Sequence, residues 1–334
     1  MTKVSIIIPT YNRAPLLGIT LNSFIDLNYP KDHYEIIVAD NNSTDNTKNI
    51  VDAFIQKGYA NIRYFFEPRQ GVHYARNSAA KIAQYELLYF TDDDMIADIN
   101  LMKELVKVFD FNKNVGVATG KVLPCWEKEP PQWIKKHCNN YLLSILDPPY
   151  EFVISKELNY LYSCHQAILK KVFFETEGFN PEYTKGHYLG DGESGLNFKI
   201  KKLGYLFGYN GSSLIKHIIP QTRTTQRYLN RRLLNNGIAH SYSEIRQFYS
   251  KKPKLIGLIL FRCLILIPQK ILYLILKTII KKDWNNLRFV LAYIYYYSGR
   301  VGFETRFLFN NNFRRFVLKK DWLTNDSEFD SVSI

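Results

Sequence analysis

The 334-residue chain lacks several features that would narrow its class at once. Its four cysteines are scattered and form no CxxC pair, so they are most simply reduced structural thiols of a cytosolic protein. No uncharged apolar run reaches the ~18 residues that a comfortable membrane-spanning helix needs. Met1-Thr2-Lys3 leads directly into an apolar, strand-like segment without a cleavage site, so we expect no signal peptide.

Acidic residues become scarce in the second part of the chain. Residues 1–198 carry 20 Lys and Arg against 24 Asp and Glu, a net charge of −4, whereas residues 199–334 carry 24 against 7, a net charge of +17. This asymmetry indicates a polyanionic surface, membrane or nucleic acid, as a partner of the basic part. The hydrophobic content of 46% is enough for one large domain with additions, or for two domains.

Short apolar strands alternate with helices up to about residue 124. The predicted strands are Val4–Pro9, Glu35–Ala39, Ile62–Phe66, Leu87–Thr91 and Val115–Val122. The predicted helices are Pro15–Leu27, Thr44–Gln56, Tyr74–Gln84 and Ile99–Phe111. Such alternation predicts an α/β fold with a Rossmann-like, mostly parallel sheet covered by helices on both faces. Ligands of such sheets bind outside the carboxyl ends of the strands.

Polar residues follow four successive strands. They are Thr10-Tyr11-Asn12-Arg13, Asp40-Asn41-Asn42-Ser43-Thr44-Asp45, Glu67-Pro68-Arg69-Gln70-Gly71 and Thr91-Asp92-Asp93-Asp94. Three consecutive carboxylates repel one another, and hard cations such as Mg²⁺ or Mn²⁺ take carboxylate oxygens. The set therefore suits a nucleotide diphosphate with a metal. Each motif alone also fits a plainer interpretation: a helix N-cap after Asp40, a solvated Arg13, or an acidic turn at the Asp triplet.

Together these motifs, with Ala75-Arg76-Asn77, resemble those of inverting family 2 glycosyltransferases of GT-A fold. The resemblance covers roughly residues 1–240. It implies a nucleotide-sugar donor and a divalent metal, Mn²⁺ or Mg²⁺, whose Lewis-acid role neutralises the departing diphosphate.

The resemblance also implies roles for individual residues. Thr10, Tyr11, Arg13 and Asp40 would surround the nucleotide base, Arg69 and Arg76 would lie near the nucleotide, Asp92 would face the ribose, and Asp94 would hold the metal. Asn42, Gly71 and Asp93 are assigned to the same nucleotide-sugar site.

Inverting transfer needs a carboxylate that takes the proton from the acceptor hydroxyl. In the family this base lies in a short acidic motif, commonly Glu-Asp, before a helix. Here the two acids, Asp191 and Glu193, are separated by Gly192. Aligning the downstream helix favours Glu193 as the base, with Asp191 as the rival. The other acid would then cap the helix.

Several further residues are candidates for the acceptor or for phosphate. Residues 124–160 are rich in proline and aromatic residues and predict an irregular segment, in which Trp126 and Trp133 could stack on a sugar or simply pack. His217 follows a predicted strand at 213–216, and a His-x-x-Pro pattern like that of family relatives suggests a metal or diphosphate partner. By the same resemblance Arg227, Arg231 and Arg232 are phosphate partners for the donor or a lipid acceptor.

The composition changes again after residue 254. Apolar runs are interrupted by Arg262, Pro268 and lysines, and a second segment from Trp284 to Gly299 is rich in tyrosine. Together they predict helices that lie in or dip into an anionic cytoplasmic leaflet. A buried helical subdomain, an oligomer interface and a single kinked span stay open as alternatives. Long aliphatic runs beside the lysines favour lipid over nucleic acid.

The predicted organisation is a GT-A domain over 1–240, divided into a nucleotide-sugar half (1–124) and an acceptor half (125–240). A helical, basic, membrane-associating extension follows over 241–323, and then a mobile tail over 324–334. The predicted enzyme moves a sugar, from a UDP-linked donor, to a glycan or lipid-linked acceptor at the cytoplasmic membrane face. The alternatives are a non-catalytic scaffold and a sugar-1-phosphate nucleotidyltransferase, whose Gly-rich signature after the first strand is absent.

Overall fold

The computed structural model describes residues 1–59, 61–137, 142–158, 161–181, 183–184, 187–188, 192–248 and 252–318. The chain divides into two compact units. The first, called the sheet unit, comprises Met1–Glu129, Cys138–Lys185 and Gly192–Pro220. The second, called the helical unit, comprises Pro130–His137, Gly186–Asp191 and Gln221–Ile334. The domain boundaries expected at 124, 240 and 323 stay predictions, and the predicted mobile tail lies outside the described residues.

The strands of the described chain are short except for two. They are β1 (Val4–Thr10), β2 (Tyr34–Asp40), β3 (Ile62–Phe66), β4 (Leu87–Thr91), β5 (Met95–Ala97), β6 (Val115–Trp126), β7 (Phe152–Ser155), β8 (His165–Leu169), β9 (Tyr183–Thr184), β10 (His187–Tyr188) and β11 (Leu206–Ile219). The segment expected to be irregular thus contains β7. His217, expected just after a short strand, lies inside the 14-residue β11.

Helices connect and cover the strands. They are α1 (Ala14–Ile25), α2 (Thr47–Gln56), α3 (Val72–Ile82), α4 (Leu101–Phe111), α5 (Gln132–His137), α6 (Lys170–Glu175), α7 (Gly192–Lys202), α8 (Gln226–Gln247), α9 (Lys252–Phe261), α10 (Ile267–Lys281), α11 (Asn286–Phe309) and α12 (Asn311–Val317). Short 3₁₀ turns occupy Lys31–His33 and Gln221–Thr224, and a π-helical turn, Arg262–Leu266, joins α9 to α10.

The sheet unit is built on a mixed sheet whose order, within the described residues, is β3-β2-β1-β4-β8-β6-β11-β5, with β7 paired to β11. The pairs β3–β2, β2–β1 and β1–β4 are parallel, as the strand–helix alternation predicts. Strand β8 runs antiparallel to both β4 and β6, so the second half of the sheet is mixed. The predicted α/β fold, a sheet flanked by helices, is confirmed.

The first strands are buried on both faces, which explains their continuous apolar composition. Every residue of β1, β2 and β4 is buried. Successive side chains of a strand point to opposite faces. Ile6 accordingly packs into a cluster with Leu17 of α1, and Ile7 packs into a second cluster with Ala79 of α3. Burial on both sides fixes the strand register, and the register sets which polar residues emerge at the carboxyl edge.

The helical unit is organised around close contact between α8 and α11. Gly237 and Gly299 lie where the two helices meet: a Cβ on Gly237 would lie 2.0 Å from the Tyr296 carbonyl oxygen, and one on Gly299 would lie 2.3 Å from that of Leu234. Only glycine permits this approach of the two backbones. A separate apolar cluster around Tyr242, Phe303 and neighbouring residues fills the unit's interior.

One helix of the described chain, Leu255–Lys281, is long and apolar enough to cross a membrane by length and composition. It is formed by α9, the π-helical turn and α10 together. Only 11% of its most apolar window is buried inside the protein. The interruptions at Arg262 and Pro268 therefore do not end the helix. Pro268 lies in the first turn of α10, directly after the π-helical turn.

Candidate active site

The carboxyl ends of β1, β2 and β4 place three predicted site residues, Thr10, Asp40 and Asp93, along one edge of the sheet. Strand β1 lies between β2 and β4, and Thr10 is in register with Asp40. The Thr10 hydroxyl donates a hydrogen bond to Asp93 Oδ2 at 2.8 Å. The Tyr64 hydroxyl donates to Asp40 Oδ2 at 2.7 Å, while Asp40 Oδ1 accepts from the Ser43 N–H. The edge thus presents fixed carboxylates in one row.

Two asparagines in left-handed backbone conformation join the loops that follow β1 and β2. Asn12 has φ 52° and Asn42 has φ 66°, a region that asparagine tolerates better than most residues. The Asn12 N–H donates to Ser43 Oγ, and Asn12 Oδ1 accepts from the Thr44 N–H at 2.7 Å. Next to these hydrogen bonds between the two loops, the ring of Tyr11 is 46% exposed. An exposed ring at a strand end can stack on a planar base.

Two arginines form ion pairs with the three carboxylates of the Asp triplet. Arg13 contacts Asp93 and Asp94 with separate guanidinium nitrogens, each at 2.7 Å, and Arg76 contacts Asp92 at 2.5 Å. Burial and the charges of its two acidic neighbours, opposed by Arg13 and Thr10, raise the pKa of Asp93 to about 7. The cation that three adjacent acids require is supplied here by side chains of the chain itself.

His217 faces Asp94 from strand β11. Its Nε2 lies 3.5 Å from Asp94 Oδ2, and both side chains are buried. The antiparallel pairing of β11 with β5 brings these two side chains together, because His217 is in register with Met95, the residue after Asp94. His217 Nδ1 lies 2.8 Å from the Leu143 carbonyl oxygen, which can only accept, so Nδ1 donates this hydrogen bond. Nε2 is the ring nitrogen on the Asp94 side.

Asp94 and His217 therefore suit a divalent metal. A metal-binding histidine usually donates its other ring N–H to a backbone carbonyl or a carboxylate, as His217 does to Leu143. Across the described residues, however, no three His, Cys, Asp or Glu side chains are grouped closely enough to form a complete protein-only metal site. The remaining ligands would have to come from a bound substrate or from water, which is common for Mg²⁺ bound with phosphates.

Glu193 is brought to the same end of the sheet by antiparallel strand β8. Thr91 of β4 is in register with His165 of β8, so the residues just before β8 lie beside the Asp triplet. The hydroxyl of one of them, Ser163, donates to Glu193 Oε1 at 2.7 Å. This hydrogen bond orients the carboxylate at the first turn of α7. Asp191, the rival base, lies outside the described residues.

The pKa of the buried Cys164 thiol is affected by acids from both segments. Burial raises the pKa of Cys164 well above its usual value, and the charges of Asp92, Glu193 and Asp94 raise it further, while Arg76 lowers it. Carboxylates that follow β4 and a carboxylate of α7 therefore both raise the pKa of the same thiol. A nucleotide-side carboxylate pair and a candidate general base share one end of the sheet, about a hundred residues apart in sequence.

Helix α3 begins against this site through a tight turn. Gly71, with φ 147°, precedes the helix, and its N–H donates to Asn41 Oδ1 at 2.7 Å. The Arg69 guanidinium pairs with Glu67 at 2.9 Å and lies over the ring of Tyr74. Arg69, predicted near the nucleotide, therefore stabilises the turn, whereas Arg76 of the same segment reaches the triplet.

His73 connects the start of α3 with the start of α7. Its ring stacks on Phe179 with the centroids 5.0 Å apart, and a Cβ on Gly192 would lie 3.0 Å from its Nε2. Gly192, whose φ is +43°, thus permits the approach of α7. Burial, with a smaller effect of Arg76, lowers the pKa of His73 to about 3. The ring is therefore neutral near pH 7.

Buried neutral histidines should make the protein less stable in mild acid. Burial lowers the pKa of His165 to about 4 as well. An unfolded histidine takes up a proton near pH 6.5, whereas these folded ones do not, so stability is full above that pH and falls as the pH decreases toward 4. We expect each to contribute a slope of about 1.4 kcal/mol per pH unit, measured by urea unfolding between pH 7 and 5.

The variant His73→Phe provides the control, since it keeps an aromatic ring against Phe179 but cannot titrate. Its unfolding free energy should fall less steeply over the same pH range. An unchanged slope would contradict the assignment of His73 as a neutral buried group.

The other predicted residues are placed as follows. Trp126 is the last residue of β6 and is half-buried. Trp133 belongs to the helical unit, is 6% exposed and carries the Arg288 guanidinium over its ring at 4.9 Å, so packing explains it better than sugar stacking. Arg227 and Arg231 are exposed on the first turns of α8, and Arg232 is half-buried there.

Sequence reasoning missed Ser163, Cys164, His73 and Asn41. Ser163 and Cys164 lie in an apolar stretch whose only visible signal is its position before a strand. Their role depends on the antiparallel direction of β8, which strand–helix alternation does not predict.

Comparisons with known proteins agree with the sheet and its polar edge. The model of the family described as Glycosyl transferase family 2 matches residues 5–177. An uncharacterized glycosyltransferase, YfnE of Bacillus subtilis, is 34% identical over 118 residues, 35% of this chain and 29% of that protein. The GalNAc(5)-diNAcBac-PP-undecaprenol beta-1,3-glucosyltransferase of Campylobacter jejuni is 40% identical over 96 residues, 28% of this chain and 30% of that protein. The chain thus matches less than a third of the length of these relatives.

Solved structures show the same fold. The mannosyltransferase PcManGT from Pyrobaculum calidifontis, in complex with GDP-Man and Mn²⁺, has a TM-score of 0.59 at 17% identity, covering 90% of this chain and 86% of that one. TarS 1-349 of S. aureus, in complex with UDP-GlcNAc, has a TM-score of 0.50 at 15% identity, covering 92% and 91%.

The sheet, with its row of carboxylates at the strand ends, defines the GT-A class of α/β transferase folds. The chain belongs to glycosyl transferase family 2.

Proposed function

We propose that this protein transfers a sugar from a nucleotide-sugar donor, UDP-linked, to a hydroxyl of a glycan or lipid-linked acceptor, with inversion at the anomeric carbon. The observation that carries the proposal is that antiparallel strand β8 places Ser163, the hydrogen-bond partner of Glu193, beside the Asp triplet that follows β4. It supports a site in which nucleotide binding and proton transfer occur at one end of the sheet. Structures of the same fold contain GDP-Man or UDP-GlcNAc.

The donor nucleotide is assigned to the ends of β1 and β2. The exposed ring of Tyr11 can stack on the base, and the Asp40 carboxylate, fixed by Tyr64 and Ser43, can accept a hydrogen bond from a base N–H. Asp92 is half-buried and can accept from a ribose hydroxyl. Arg13 and Arg76 already lie at the triplet and can contact the diphosphate, because a guanidinium binds phosphate oxygens bidentately.

Asp94 and His217 would hold the divalent metal, Mn²⁺ or Mg²⁺, that structures of this fold contain as Mn²⁺. When bound, the ion supplies Lewis-acid neutralisation of the charge on the departing nucleoside diphosphate. Arg13 pairs with Asp94 in the described structure, so it would exchange this carboxylate for a phosphate when donor binds.

Glu193 is the general base of the proposed reaction. Its carboxylate takes the proton of the acceptor hydroxyl while that oxygen forms a bond to the anomeric carbon. The bond from the anomeric carbon to the diphosphate oxygen breaks, and its electron pair leaves with the nucleoside diphosphate. Ser163 donates to Oε1 of Glu193, which leaves Oε2 to accept the proton.

The acceptor and the location of the protein are proposed from the helical unit. The Campylobacter jejuni relative is named for an undecaprenol-linked acceptor. Exposed Arg227 and Arg231 on α8 suit the phosphates of such a lipid. The apolar helix Leu255–Lys281 and the basic charge of the second part of the chain support a peripheral or monotopic location on the cytoplasmic face of the membrane.

The test is release of nucleoside diphosphate from a panel of UDP- and GDP-sugars, with Mn²⁺, with Mg²⁺ and with EDTA. We expect a UDP-sugar to be consumed, and EDTA to lower turnover at least tenfold. Adding back Mn²⁺ should restore it, which separates metal removal from irreversible damage. If no nucleotide sugar binds or is consumed under any condition, the proposed function is wrong. If only GDP-sugars are consumed, the donor is GDP-linked and the assignment of a UDP-linked donor is wrong.

A further inference from the structure

The apolar helix of the helical unit has two different sides. Along Leu255–Lys281, large apolar side chains on one side are exposed. Those more than 50% exposed are Leu260, Leu264, Leu272, Tyr273, Ile279 and Ile280, with exposures from 54% to 78%. Trp284 follows at 70%. Soluble surfaces rarely carry so continuous an apolar strip, which marks an interaction site.

The other side of the same helix carries its cations. Lys270, Leu274, Lys277 and Thr278 recur at helical spacing; of these, Leu274 and Thr278 are buried. The Lys270 ammonium lies 5.0 Å from the centre of the Tyr293 ring of α11. A helix that crosses a bilayer alone is apolar all round, whereas a helix in the plane of the interface has one apolar and one polar side.

Arg262, in the first third of this helix, forms ion pairs with acids of α8 and α11. Its guanidinium is buried and pairs with Glu304 of α11 and Glu244 of α8, and Arg300 pairs with the same Glu244. Ser241 donates a further hydrogen bond to Glu304 at 2.6 Å. If Leu255–Lys281 spanned a bilayer, Arg262 would lie about 10 Å from its first residue, within the hydrocarbon.

Its partner Glu244 would then be drawn to the same depth with α8. The four charged side chains of this network, Arg262, Arg300, Glu244 and Glu304, would then lie in hydrocarbon, which is costly even for paired charges. The ion pairs therefore favour the in-plane orientation over a transmembrane one.

The chemistry around the apolar strip favours lipid as its occupant. Lys281 and Lys282 are exposed at the end of the helix, next to the exposed Trp284. Lysine beside tryptophan and tyrosine is typical of the interface of anionic bilayers. A second copy of the chain would instead bring these like charges together.

We propose that Leu255–Lys281 lies in the plane of an anionic membrane surface, with its exposed strip in the lipid interface and both of its ends on the same side. This rests on the proposed location of the enzyme at a membrane and decides between the in-plane and the spanning orientation. The helical unit is then a monotopic anchor.

The first test is flotation of the full-length protein with sealed vesicles of phosphatidylcholine, with or without phosphatidylglycerol. We expect binding to the anionic vesicles, weaker at high salt, and a loss of about tenfold or more for Ile280→Glu. Ile99→Glu, at a 55% exposed position of the sheet unit, should bind as the wild type does. The proposal is overturned if the wild type and the two variants bind equally or if none of them binds. It is also overturned if the protein forms a dimer without lipid and Ile280→Glu breaks that dimer.

The second test determines the orientation. In a chain whose native cysteines are replaced by serine, a single cysteine is placed at Ile256 or at Lys281. Inverted membrane vesicles are treated with a membrane-impermeant maleimide before and after detergent. We expect both positions to react fully without detergent; a position that reacts only after detergent would show a crossing and overturn the proposal. Nucleotide-sugar turnover, measured separately in detergent, tests the proposed enzyme function independently of either result.

Discussion

Replacing Glu193 by glutamine is expected to lower kcat by about 10²–10⁴-fold, the range that a general base contributes. Glutamine keeps the size of the side chain and can still accept the hydrogen bond from Ser163, but it cannot take a proton from the acceptor. The affinity for the donor should change little, because the hydrogen bond that Glu193 makes in the described part of the chain is with Ser163, which is not assigned to the nucleotide. Turnover is followed by nucleoside diphosphate release, and donor affinity by equilibrium binding.

The matched control is Glu157→Gln. Glu157 is an exposed acid that pairs with Lys201, and Lys201 lies on α7, the helix that carries Glu193. The loss of this pair perturbs the surface of α7 without touching the site. Its kcat should stay within about twofold of the wild type. Full turnover by Glu193→Gln would contradict the assignment and move the role of base to Asp191.

Replacing Arg262 by methionine is expected to lower the free energy of unfolding by about 3–5 kcal/mol. Glu304, which is 1% exposed, would lose its nearer guanidinium and keep that of Arg300, whose Nε lies 3.7 Å away. Removing one partner of a buried ion pair costs much more than the pair itself contributes, because a charge stays behind in a poorly solvated environment. Thermal and urea unfolding in detergent measure the change.

The double variant Arg262→Met with Glu304→Gln separates charge from packing. It removes both charges, so it should recover most of the stability that the single variant loses. Lys48→Met, which breaks an exposed i,i+4 pair with Asp52, should cost no more than about 1 kcal/mol. A single variant as stable as the wild type would contradict the buried network and, with it, the fixed position of the apolar helix.

The strand ends could be predicted because they depend on local patterns. β1, β2 and β4 are buried on both faces, so their apolar runs are visible in the sequence, and parallel pairing brings their last residues to one edge. Thr10, Asp40 and Asp93 follow directly. That Arg13 would neutralise Asp93 and Asp94 could not be predicted, since the partners are about eighty residues apart and their distance is set by the register of β1 with β4.

The second half of the sheet illustrates the limit of such reasoning. The antiparallel direction of strand β8 is decided by tertiary packing, and that direction brings Ser163 to Glu193. Arg262 is a similar case. In the sequence it interrupts an apolar run, whereas in the structure it is buried and paired with acids 18 and 42 residues away.

Binding of UDP in the presence and absence of Mn²⁺ to the wild type and to Asp94→Ala tests the central assignment most directly. Asp110→Ala, at an exposed acid of α4 paired with Lys113, serves as the control. The proposed site predicts Mn²⁺-dependent binding to the wild type and to Asp110→Ala, and its loss, together with turnover, in Asp94→Ala. Binding and turnover by Asp94→Ala equal to those of the wild type would contradict a metal–diphosphate site at the Asp triplet.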